Sequence, residues 1–315
     1  MSTNNFSGLE SLSSLQFIPF FMDNRIEKHM RYFVKSLFPA KYFNNLLLLN
    51  RFKLINRLHS LNLISWRLTW SSLNYREVKG TSFVSSFVKS TRIKLFYDEL
   101  PTLENLKHRR PDLYPADLRC VCCHHTHSHS NHNETLHHLW TCPSRLTTTL
   151  EIINSCRTYL CDSIKDKIPN ANISDIISDH AWTMNLFDDH VGGLLLVRGF
   201  VPTSLETKVN TIIRNQEITT LLINKMMDKL FNLFCSLIWT PRNQMVIDYE
   251  NSIGITPVMK KSGVIGTHTP YMVEPLGLPS HTTIYDPKSY ERWVDKATNF
   301  GDNWSDFVLF LNEFY

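Results

Sequence analysis

Four of the chain's seven cysteines and seven of its fourteen histidines fall between Cys120 and Cys142. Thiolate sulfur and imidazole nitrogen are the donors that Zn²⁺ takes, four at a time, at tetrahedral corners. Cys120 and Cys123 have two residues between them, fourteen more separate Cys123 from His138, and three separate His138 from Cys142. This is a C-x2-C-x14-H-x3-C pattern, in which the first pair forms one tight knuckle. Cys122 is too close to Cys120 to share a knuckle with it, so Cys120 pairs with Cys123. Glu134 to Trp140 reads as a short helix, on which His138 and Cys142 are four apart and share a face. His137, five residues before Cys142, points off that face and stands as the alternative nitrogen ligand. With four protein donors the zinc has no open position for a reactive water, so the expected role is structural.

The pattern does not meet the catalytic signatures nearest to it. His132-Asn133-Glu134 is an H-x-E, but a zinc deaminase needs P-C-x-x-C downstream of the glutamate, and here the C-x2-C lies upstream. No H-E-x-x-H helix and no phosphate-binding glycine loop occurs. Asp188-Asp189 lacks the aromatic residue that a polymerase aspartate pair has two positions earlier, where Leu186 stands. The expectation is a chain that is not an enzyme.

Charge is unevenly placed. Residues 1–119 carry 18 Lys/Arg and 9 Asp/Glu, hence +9, and the remainder carries 15 and 20, hence −5. A basic half leading into a zinc knuckle predicts contact with RNA or DNA phosphates through Arg51, Lys53, Arg57, Lys89, Arg92 and Lys94. The N-terminal residues lack a basic secretory n-region, and the apolar runs near Leu15–Met22 and Leu46–Leu49 are too short to span a bilayer, so no membrane is expected. Cysteines clustered for metal, in an odd total, predict a reducing, intracellular setting, nucleus and cytoplasm not being distinguished.

The elements that must position these residues read as mainly α: helical bundle-like domains around a small structural zinc knuckle, with an extended linker and a C-terminal helical tail. Residues 1–22 form a lead-in. Residues 23–99 form a basic helical region, with a helix from Asp23 or Asn24 to Pro39. One or two helices follow over 41–73, with a stripe of Leu47, Leu54, Leu58, Leu61 and Ile64, and then a helix over 82–95 built on Phe83, Phe87, Val88 and Leu95. Trp66 and Trp70, four apart, are expected in the core. Residues 100–145 make the zinc module, which a short helix from Thr102 to Lys107 opens.

The order Trp70, Lys94, Leu100-Pro101-Thr102, Cys120-x2-Cys123, Glu134-Thr135-x2-His138-Leu139-Trp140 and Cys142-Pro143 resembles the zinc-binding domain of non-LTR (LINE-type) retrotransposon reverse transcriptases. The resemblance covers about residues 66–145. It implies that Cys120, Cys123, His138 and Cys142 are the metal ligands, that the metal is structural zinc, and that the partner is RNA or DNA.

Beyond Pro143, residues 146–253 read as helical. Leu146, Leu150, Ile153, Cys156 and Leu160 form one stripe, which makes Cys156 a buried hydrophobe. Residues 165–190 read as a polar loop and Gly192 to Val197 as a strand. A long helical segment runs from Thr203 to about Thr240, and a break at Pro241 precedes a further helix to Ile253. Residues 254–287, rich in Gly and Pro, read as a linker. The tail, residues 288–315, carries Trp293, Phe300, Trp304, Phe307, Phe310 and Phe314, a face for docking on the core or for a protein partner. The function expected is a non-catalytic, retroelement-derived zinc-binding protein that contacts nucleic acid; the other reading is a zinc-stabilised protein-interaction module.

Overall fold

The computed structural model describes residues 20–21, 24–25, 41–75, 83–123, 132–177 and 189–262. They are mainly α-helical. In chain order the helices are α1 (41–48), α2 (Lys53–Ser60), α3 (Trp66–Asn74), α4 (Phe83–Phe96), α5 (Leu103–Arg109), α6 (Leu136–Thr141), α7 (Leu146–Lys165), α8 (Ser174–Ile177), α9 (Asp189–Val197), α10 (Thr203–Ile213), α11 (Gln216–Phe234), α12 (Thr240–Ser252) and α13 (Pro257–Lys261). Among the described residues, those up to 46 belong to one compact unit and those from 47 to 262 to another, which holds every helix from α2 to α13. In the first unit, Phe20–Phe21 pairs antiparallel with Asn24–Arg25. Asn24 is therefore in a strand and does not cap a helix, while residues 26–40 lie outside the described residues.

Short polar side chains set where the helices begin. Ser65, Thr102, Thr135, Asn215 and Thr256 each accept a hydrogen bond from a backbone N–H in the first turn of α3, α5, α6, α11 and α13. Arg214 ends α10 in the left-handed region, at φ 53°, and Asn215 at once caps α11. The long helical segment from Thr203 is thus a pair of helices.

The expected break at Pro241 is absent. Cys235–Trp239 forms a π-helical turn, and Pro241 enters at the start of α12, so helical backbone continues from Gln216 to Ser252. Proline offers no N–H, and a widened turn is where a helix can take one without losing its course. A second correction concerns Gly193 to Val197, which form helix α9 and not a strand. Apolar runs of this length do not distinguish a buried helix from a buried strand.

The N-terminal stripe also shifts. Residues 41–74 hold three helices and a 3₁₀ turn at Asn50–Phe52. That turn resets the phase, so Phe52, Ile55 and Leu58 are fully buried, whereas Leu54 and Leu61 are exposed. Phe87, expected on the apolar face of α4, is likewise exposed. Trp66 and Trp70 are buried and stack at 5.3 Å between ring centroids, within a cluster that includes Phe52, Phe96 and Phe200.

The main core gathers Leu68 of α3, Leu95 of α4, Leu139 and Trp140 of α6, Cys156 and Leu160 of α7, and Met226 and Leu230 of α11. Cys156 is fully buried, and burial pushes its thiol up to about 12, as befits a core residue. The segments read as a basic region, a zinc module and a helical region thus contribute to one core. No described helix is long and apolar enough to cross a membrane. The tail aromatics and the linker beyond Ser262 lie outside the described residues.

Candidate metal centre

Two loops and one short helix build the site. Tyr114, buried, donates to Glu250 of α12 at 2.5 Å. Its backbone N–H and that of Leu113 bond to Arg110 O, which fixes the path into the knuckle. Cys120 N–H then donates to His132 O at 3.1 Å, joining the two ends of the histidine-rich insert. The insert itself, residues 124–131, lies outside the described residues. Thr135 caps α6, on which His138 and Cys142 follow one turn apart.

Cys120, Cys123, His138 and Cys142 converge. All four are buried, and their ligand atoms lie within 4.8 Å of one another. His138 presents Nε2, 3.5 Å from Cys123 Sγ. A tetrahedron of three sulfurs and one nitrogen at metal–ligand distances of about 2.0–2.3 Å has edges that fit such a cluster. These residues can hold a metal ion. His137 is exposed and outside the cluster, so the face argument for His138 agrees with the geometry. Thiolates are the metal-binding form, and hydrogen bonding from Cys142 holds Cys120 well below the ordinary thiol range while Cys142 rises in return.

Residues around the cluster complete it. Cys122, half-buried, is hydrogen-bonded to Cys142, and that bond with the nearby Arg145 guanidinium pulls its thiol down to about 6. His132 stacks on His138 at 5.1 Å between centroids. Glu134, wholly buried, accepts at Oε1 from Arg242 Nε at 2.9 Å, from Arg242 Nη2 and from the Leu103 backbone N–H at 3.1 Å. Burial pushes the Glu134 carboxyl up, against the pull of Arg242. Arg242 lies over the Trp239 ring at 5.0 Å. A buried, hydrogen-bonded ion pair thus ties the start of α6 to α5 and α12. Trp140 closes the other side: a Cβ added to Gly193 of α9 would meet its ring at 3.0 Å.

Each part of the sequence pattern therefore has a mechanical role. Thr102 caps α5 and Glu134 bonds the first N–H of that helix. Thr135 caps α6, and Leu139 and Trp140 anchor it in the core. Sequence reasoning did not find Arg242 and Arg145. Trp239-x-x-Arg242 was the available signal for the first, because it puts a guanidinium one turn from an indole.

The six basic residues expected on nucleic acid do not form one surface. Lys53, Arg57 and Lys94 are exposed, and Lys89 is half-buried. Arg51 is ion-paired with Glu99 and lies 6.0 Å from the Tyr97 centroid. Arg92 is a correction. It is buried, bonded to Ser72 O at 3.2 Å, to Tyr75 O at 3.1 Å and to Asp228, and its guanidinium covers Phe231. Helix periodicity placed Arg92 on the polar side of α4, but α4 packs beside α3 and so turns that side inward.

Comparison with protein-family models, with characterised proteins and with solved structures gives no match.

Proposed function

We propose that the metal is Zn²⁺ in a structural role, and that the chain is a non-catalytic, retroelement-type zinc-binding protein that contacts the RNA or DNA backbone. The observation that carries the first part is the convergence of three cysteines and one histidine at a single buried point. Sulfur-rich, four-donor sites select zinc among abundant divalent ions, and four protein ligands leave no place for a reacting water. The reading as a relative of the reverse-transcriptase zinc-binding domain draws on the Leu100-Pro101-Thr102, Glu134-Thr135 and His138-Leu139-Trp140 elements, each of which braces the cluster.

Nucleic-acid contact draws support from the +9 balance of residues 1–119 and from the exposure of Lys53, Arg57 and Lys94. Contacts of this kind neutralise phosphates and release counterions, without reading bases. A titration of a fluorescent single-stranded oligonucleotide against salt tests it. Affinity should fall steeply as salt rises; affinity that salt does not change, or none at low salt, removes the proposal.

A second reading, a zinc-braced protein-interaction module, draws on Arg51 and Arg92, whose charges are engaged within the fold. The same titration separates the two: a protein that binds no oligonucleotide even at low salt favours this second reading.

A further inference from the structure

The metal centre uses α12 but leaves one face of α11 unexplained. Lys225, Asp228, Lys229 and Asn232 recur at three- and four-residue intervals along that helix, and Ser236 follows in the π-helical turn after it, away from the core face of Met226, Leu230 and Phe234. They line an open groove of about 430 Å³, whose walls are Tyr159 of α7 and Tyr75 at the end of α3. That volume is within the range of about 300–1,000 Å³ that small ligands occupy.

The charge of this groove is positive in effect. Asp228, the acidic residue in the lining, is already engaged: Arg92 pairs with Oδ1, and the Asn232 amide donates to Oδ2 at 3.1 Å. Lys229 is held over the Tyr159 ring at 4.9 Å, so its ammonium is set in place before any ligand arrives. Lys225 stands one turn earlier on the same face.

We propose that this groove is a binding site for single-stranded nucleic acid, in which Lys225 and Lys229 contact successive phosphates. Asn232, whose amide has a second N–H beside the one given to Asp228, supplies a neutral donor beside them. An open groove with ammonium groups a helical turn apart fits a strand passing across it, and nothing in the lining selects a base. The inference rests on the nucleic-acid reading above and moves its main contact from the exposed residues of α2 and α4 to α11.

The test uses the full-length, metal-loaded protein and a fluorescent oligo-dT or oligo-U strand, read by anisotropy across a salt series. Lys225→Gln with Lys229→Gln removes two contacts and should lower the salt slope by about 1.4, at roughly 0.7 per contact for a single strand. Ser236→Glu, an exposed substitution, should weaken binding while thermal midpoint and metal content stay at the wild-type values. Lys53→Gln with Arg57→Gln should leave the slope within error. The inference is overturned, and the parent reading kept, if the Lys225/Lys229 variant and Ser236→Glu bind as wild type while the Lys53/Arg57 variant loses affinity. Absence of wild-type binding at low salt overturns both. Equal competition by poly-glutamate would show a general polyanion surface and overturn the assignment to nucleic acid.

Discussion

At the scale of single residues, Glu134 is the side chain on which the metal module depends most. It lies four residues before His138, is wholly buried, and accepts three hydrogen bonds at one oxygen, while Oε2 has no hydrogen-bond partner among the described residues. Removing one partner of such a pair strands the other charge in a medium that cannot solvate it, at a cost of about 3–5 kcal/mol. Arg242→Met should therefore lower stability by about that amount. Replacing both residues together, Glu134→Leu with Arg242→Met, should cost clearly less. Chemical denaturation of these proteins and of Glu134→Leu checks this, and a double-variant loss equal to the sum of the two single losses would show that the pair does not act as a unit. The ligands have their own sign. Thiols and imidazole must shed protons to bind a metal, so metal should leave as pH falls, and a chromogenic chelator follows its release.

Between elements, the decisive contact is α6 against α9. Trp140 fills the space above Gly193, where even a methyl group would meet the ring at 3.0 Å. Gly193→Ala should then force the two helices apart, at a cost of about 1–3 kcal/mol typical of overpacking, with the metal retained. Thermal denaturation with metal analysis reads both quantities together; an unchanged midpoint would mean that α6 is free to shift. This scale is also where sequence and structure part company. Helix α6 and its ligand face were legible because a cap, a four-residue spacing and an aromatic anchor occur within nine residues. Helix α9 was not: Gly192-Gly193-Leu194-Leu195-Leu196-Val197 is apolar on every side, and only its packing against Trp140 and α11 decides the backbone. The course through Pro241 was hidden for a similar reason, since the π-helical turn at Cys235–Trp239 has no local sequence signal. Arg92 shows the same limit on α4, where the neighbour of a polar stripe decides whether it meets water or a carboxylate.

Across the whole molecule, the core belongs jointly to segments that the sequence suggests as separate regions. Leu136, Leu139 and Trp140 of the metal helix lie in the same cluster as Leu68, Leu95, Cys156 and Met226. Losing the metal should therefore disturb packing well beyond the knuckle, and a chelator should change tryptophan fluorescence through Trp140 and Trp239 as well as lower the unfolding midpoint. A structure that loses metal with no spectral change would show that the core stands without it. For the proposed nucleic-acid contact, the asymmetry of charge sets the expected steepness of the salt dependence.

The central claim is that Cys120, Cys123, His138 and Cys142 hold one zinc ion, and elemental analysis of the purified protein and its variants addresses it directly. One zinc per chain is expected in the wild type and in His137→Ala, and none in Cys123→Ser, His138→Ala or Cys142→Ser. Zinc retained in the ligand variants, or lost in His137→Ala alone, would contradict it.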